Sequence, residues 1–231
     1  MNTDYYAIPE QLLLNNPAIP IHRIDSDAFL QYGTLLDPAP FSPLVEQADR
    51  CTSIPFSGTI YETTHPDLEP YKESLSLNPY FNGAEVQVGY CNGHNVTING
   101  AEYHKSPELF IAVTDCLQFL TSFNFLDKYE TLDPEHAELF YFPKGSAALI
   151  NEKVLHLAPL SVHPGGFKAV IILPKGTNEP IHEPYPSQAE GEERLYFKQN
   201  KWILAHPERT QLVSQGVHIG LTGTNRNIHS L

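Results

Sequence analysis

Glu102, His104 and Glu108 place two carboxylates and an imidazole within one short segment, and a second imidazole, His156, follows in a separate apolar stretch. Mixed oxygen and nitrogen donors of this kind suit Mn, Fe, Ni or Zn. If the first segment is extended, its side chains alternate, so positions 102, 104, 106 and 108 share one face while Tyr103, Lys105 and Pro107 take the other. His156 sits between Leu155 and Leu157. A buried imidazole without a partner there costs on the order of 1–3 kcal/mol, so it must bind something. Taken singly, each residue has an ordinary role, the acids as exposed or ion-paired side chains and the histidines as hydrogen-bonded core residues. Taken together, Glu102, His104, Glu108 and His156 form the expected ligand set of a divalent metal ion.

Around that set stand weaker candidates. Lys105 is the nearest residue able to move a proton and is taken as the candidate catalytic group, although strand parity turns it away from the metal face. Asn92, His94 and Asn95 are candidate substrate-binding residues that serve equally well as turn builders. Cys116 has no cationic neighbour in sequence and reads as core. His163, His182, His206 and His218 are scattered and take no role.

These groups need a scaffold, and the punctuation of the chain says which kind. Its 231 residues, 41% of them hydrophobic, suffice to bury a core without disulfides. The 20 prolines and 14 glycines are spread along the chain and cut it into short segments, which favours strands and turns. Alternating or short apolar runs recur near residues 85–90, 94–98, 109–113, 117–120, 139–142, 147–150, 154–158 and 167–173, the spacing of a sandwich or barrel. Asn92-Gly93 and Asn99-Gly100 read as turns. Upstream, residues 9–14 and 24–33 read as short helices, the second closed by Gly33. Residues 38–79 read as an irregular arm with a short strand near 57–61. Downstream, residues 182–191 read as a Pro- and Glu-rich loop. A hairpin over 195–204 turns at Gln199-Asn200, and a strand over 217–221 follows; the tail caps the domain or supports a homodimer. One rival remains at the centre. Ser106-Pro107-Glu108 is also a good helix start, and residues 109–123 carry an apolar stripe that fits either a helix or two strands.

The formal charge of −13 repels polyphosphates, and no cluster of lysine or arginine interrupts it, so nucleic acid is not an expected partner. No apolar run approaches the roughly twenty residues needed to span a bilayer, which sets membranes aside. Three cysteines and no basic, apolar leader point to the cytoplasm.

Glu102, His104 and Glu108 resemble the first metal motif of the cupins, His-x-His followed by Glu, with Glu102 replacing the first histidine. His156 then corresponds to the second motif after Pro143 and Gly145, at a longer spacing than usual. Residues 24–33 are similar to the opening helix of the ureidoglycolate lyase family. Glu102-Tyr103-His104 resembles that family's Glu-Arg-His, and residues 154–159 its Trp-His-His-Pro strand. Across residues 21–221 the chain also looks like an uncharacterised bacterial cupin-like family, through Gly93-His94-Asn95, Glu102 to Lys105, and Pro174-Lys175-Gly176-Thr177-Asn178. The resemblance implies an all-β, cupin-type double-stranded β-helix, a jelly-roll barrel with short peripheral helices. In that frame residues 1–83 form an arm packed on the barrel, residues 84–180 its core, and residues 181–231 complete or cap it. The implied function is a metal-dependent lyase or isomerase acting on a small hydroxy or carbonyl metabolite such as a sugar or a ureido acid. The alternative is a non-catalytic, metabolite-binding regulatory cupin.

Overall fold

A computed structural model describes residues 3–181 and 189–231, so that the 182–188 part of the expected Pro- and Glu-rich loop, His182 included, lies outside the described residues. The strands in chain order are β1 Ile21–Arg23, β2 Gly33–Leu36, β3 Thr59–Glu62, β4 Val86–Gly93, β5 Thr97–Ile98, β6 Gly100–Tyr103, β7 Glu108–Ala112 and β8 Cys116–Leu120. They continue with β9 Glu138–Phe142, β10 Ala147–Ile150, β11 Leu160–Ser161, β12 Phe167–Pro174, β13 Tyr196–Lys198, β14 Lys201–Ala205, β15 His218–Ile219 and β16 Arg226–Asn227. The α-helices are α1 Glu10–Asn15, α2 Ser42–Cys51, α3 Asn78–Phe81 and α4 Thr210–Ser214.

These strands do not close into a barrel. Among the described residues they form four separate sheets: a six-stranded one in the order β2-β10-β7-β12-β4-β3, a four-stranded one in the order β1-β9-β8-β11, a C-terminal sheet in which β14 joins β13, β15 and β6, and the pair β16-β5. The six-stranded sheet ends on β2 at one edge and on β3 at the other, and no ladder joins the two. The all-β jelly-roll expectation is therefore corrected to a mixed α and β fold with several open sheets. The reason is physical: apolar alternation specifies which face of a strand is buried, whereas edge pairing depends on partners far away in sequence.

The open sheets are stable because they are covered. One face of the six-stranded sheet, carrying Phe110, Ala148, Ala169 and Ile171, packs with Cys116, Phe140 and Phe142 of the β1-β9-β8-β11 sheet. Its opposite face, carrying Leu109, Ile111, Val170 and Ile172, packs against Leu44, Val45 and Ala48 of α2. A third cluster joins Leu117, Phe119, Leu139 and Tyr141 to Tyr103, Ile203 and Ala205 of the C-terminal sheet. Continuous apolar runs such as residues 109–112 thus reflect strands buried on both faces.

The helix rival at residues 106–123 is resolved in favour of strands, since β7 pairs with both β10 and β12 and β8 pairs with β9. Helix α2 is the main departure from the expected irregular arm. Residues 24–33 form a 3-10 turn, Asp27–Gln31, and Gly33 opens β2 instead of closing a helix. Asn92-Gly93 is also not a turn but the end of β4. Glycine is required there because a Cβ on Gly93 would lie 2.5 Å from Thr59 Oγ1 and 2.6 Å from the Gly58 carbonyl oxygen.

Candidate metal centre

The segment that carries Glu102, His104 and Glu108 is not one strand. Glu102 lies on β6 of the C-terminal sheet, Glu108 opens β7 of the six-stranded sheet, and residues 104–107 bend between them. The groups converge because the chain crosses from one sheet to another, not because a single pleat aligns them. His156 arrives through an isolated antiparallel bridge to Glu102, in which each backbone N–H donates to the other residue's carbonyl, at 2.6 and 2.9 Å. The expected strand over residues 154–158 shrinks to this bridge and its neighbour, Thr121 with Leu155.

All four side chains are buried, with exposures of 9% for Glu102, 2% for His104, 6% for Glu108 and 4% for His156. His104 Nε2 stands 3.6 Å from Glu108 Oε2 and 3.9 Å from Glu102 Oε1, and His156 Nε2 stands 3.4 Å from Glu108 Oε2. The other ring nitrogens are engaged. His104 Nδ1 lies 2.6 Å from the Asn200 carbonyl oxygen and His156 Nδ1 lies 2.9 Å from that of Val154. A carbonyl can only accept, so each Nδ1 carries a proton and donates it. In the neutral imidazoles both Nε2 lone pairs are then free, and neither Nε2 has a hydrogen-bond partner. An N–H tied to a backbone carbonyl is the usual outer support of a metal-binding histidine.

The electrostatics follow from this packing. Burial holds the His104 imidazole below its ordinary range against the pull of Glu102 and Glu108. Burial also depresses His156, but the Glu108 carboxylate beside it, with Glu102, outweighs that and holds it above its ordinary range. Burial would raise Glu102, yet the Lys201 ammonium paired with it, helped by the two histidines, keeps its carboxyl low.

A cavity of about 250 Å³ opens on these groups, lined by Glu102, Glu108 and His156 together with Tyr61, Lys198, Lys201 and Arg209. Phe110 and Ile171 supply apolar wall from the six-stranded sheet. Lys201 and Arg209 were invisible as site residues because they lie in the tail, about a hundred positions from Glu102. The hairpin that carries Lys201 was readable, but not its partner: β14 pairs antiparallel with β6 in a register that sets Ile203 opposite Glu102.

The remaining expected site residues are elsewhere. Lys105 reaches Glu192 Oε2 at 2.7 Å and lies 4.3 Å over the Trp202 ring, and it does not line the cavity; it sits in the bend between β6 and β7, not on a strand whose parity would set its direction. Asn92 is fully buried beneath the arm and donates to Thr52 Oγ1 and the Ser53 carbonyl. His94 bonds the Pro55 carbonyl, and Asn95 donates to that of Ala158. These three hold loops in place.

A second group of donors lies under the arm. Cys51, His65 and Asp67 also bring potential ligand atoms within 4.8 Å of one another. The protein thus contains two clusters compatible with binding a metal ion. Among the described residues no helix is long and apolar enough to cross a membrane.

Known proteins place the chain only in part. It shares 9% identity with Bacillus subtilis oxalate decarboxylase over 53% of this chain and 28% of that one, with a TM-score of 0.32. For salicylate 1,2-dioxygenase of Pseudoaminobacter salicylatoxidans the figures are 9%, 58%, 30% and 0.31. For Peruvianin-I, a cysteine peptidase from Thevetia peruviana latex, they are 13%, 53%, 65% and 0.33. Likenesses this weak say nothing about chemistry, and the chain spans less than a third of either metabolic enzyme. No curated protein matches the chain. Residues 21–226, which include all four candidate donors, match the family described as Domain of unknown function (DUF4867), and the chain belongs to that family.

Proposed function

We propose that the protein is a metal-dependent enzyme, of lyase or isomerase type, acting on a small polar hydroxy or carbonyl metabolite. Glu102, His104, Glu108 and His156 would hold a divalent ion. One observation carries this reading: two buried imidazoles, each with its Nδ1–H locked to a carbonyl, turn their Nε2 atoms on the same carboxylate at 3.6 and 3.4 Å. Burial holds His104 neutral, so its Nε2 lone pair is left unmatched at a cost on the order of 1–3 kcal/mol, which ligation removes. When bound, such an ion polarises a carbonyl or hydroxyl oxygen as a Lewis acid. The protein contributes a small cavity open on one side, apolar walls that fix the carbon skeleton, and Lys201, which holds the Glu102 carboxylate ionised.

Elemental analysis of protein purified without chelator tests the reading. Wild type is expected to carry close to one divalent ion per chain and a Glu108→Gln, His156→Ala double variant close to none. Equal, negligible content in both would refute it. Product analysis of wild type with sugars, sugar acids and ureido acids separates turnover from binding alone.

A further inference from the structure

The cavity holds more positive charge than metal binding requires. Lys198 and Lys201 sit directly opposite each other across the β13-β14 hairpin, and both line the cavity together with Arg209. Like charges placed directly opposite destabilise a sheet, and here they gather in a protein whose formal charge is −13. Lys201 is matched by Glu102. Arg209 gives Nη1 to the Asn99 side chain. Among the described residues, the Lys198 side chain makes no hydrogen bond or close ion pair, and Glu102 and Glu179 act on it only at longer range. Burial, with Lys201 next to it, holds the Lys198 ammonium below its ordinary range. Glu102 thus serves Lys201 and Arg209 as well as Lys198, and among the described residues only Glu179 besides it acts on Lys198, so three cations share two carboxylates.

We propose that these cations bind the carboxylate of a small hydroxy acid, with Lys198 and Arg209 gripping it and the substrate's hydroxyl oxygen directed toward Glu102, Glu108 and His156. The guanidinium fork matches a carboxylate in shape as well as charge. A cavity of about 250 Å³ lies just under the usual range of ligand pockets, roughly 300–1,000 Å³, which limits the acid to a few carbons. The direction of the hydroxyl rests on the metal reading above; the carboxylate site does not.

Calorimetric titration with glycolate, glycerate and malonate, with glycerol as the uncharged control, tests the site. It is performed on protein as purified and again after chelator treatment. At least one acid is expected to bind, glycerol is not, and Lys198→Gln should weaken the acid by about tenfold or more. Its melting temperature and metal content should stay at wild-type values, since among the described residues the Lys198 side chain bonds no other. Arg209→Gln gives a second reading of the same site. The proposal is overturned if none of the acids binds, if glycerol binds as tightly, or if both variants stay within about twofold of wild type. An acid that binds chelator-treated protein and is weakened by Lys198→Gln upholds the cation site even where elemental analysis finds no ion, so the two readings fail separately.

Discussion

The two donor clusters of this protein, Glu102, His104 and His156 in one and Cys51, His65 and Asp67 in the other, each bring donor atoms within 4.8 Å and are differently prepared. In the cluster between the sheets, both Nδ1 atoms donate to carbonyls and both Nε2 atoms converge on Glu108. Under the arm, the Asp67 backbone N–H donates to His65 Nδ1 at 3.3 Å, and the Cys51 sulfur is 3.8 Å from that same nitrogen. The lone pair nearest the thiol is thus already occupied. Burial pushes the Cys51 thiol up, with Asp67 adding to it, so the thiolate form that metals prefer is disfavoured. Cys51 and His65 are half-buried and Asp67 is exposed, whereas the first set is buried throughout. Proximity of donor atoms therefore decides less than where each imidazole has placed its proton.

The contrast breaks first at His104. His104→Ala should lower divalent-metal affinity by roughly 1,000-fold or more, about 4 kcal/mol, measured by competition with a chromogenic chelator. Retained affinity would move the centre to Cys51, His65 and Asp67. A smaller change sharpens the role of the outer support. Asn200 has φ +52°, and it touches the site through its carbonyl while its side chain binds Lys105 N, Ser106 Oγ and Thr177 Oγ1. Asn200→Ala should cost about tenfold in metal affinity, within the roughly 10–100-fold typical of losing an outer partner. The smallest effect is expected at the other cluster: Cys51→Ser should leave metal content unchanged and stability within about 1 kcal/mol by denaturant titration. Loss of a metal equivalent in Cys51→Ser would show that the second cluster also binds.

Much of this was legible in the residues. Glu102, His104, Glu108 and His156 could be singled out by type, because acids and imidazoles near apolar runs need partners wherever the chain takes them. The geometry that joins them could not, since one strand face and a crossing between two sheets place the same residues together. Helix α2 left a signal that composition masked: Ser42-Pro43 is a helix start, and Leu44, Val45 and Ala48 form the stripe that meets the six-stranded sheet. The open sheets had no comparable signal. Lys198, Lys201 and Arg209 were missed for the same reason, as their place depends on β14 pairing with β6, a contact across about a hundred residues.

That pairing also sets an order of assembly. Strand β6 finds its ladder partner only in β14, so the site cannot be complete until residues 201–205 have been made. Until then His104 has no Asn200 carbonyl to receive its Nδ1 proton, and Glu102 has no Lys201. The histidine is then free to take either tautomer, and the carboxylate has neither its strand partner nor its counter-charge. The hairpin is thus the late-made part of the site: the donor groups come first in the chain, and the contacts that fix the His104 tautomer and balance Glu102 come last.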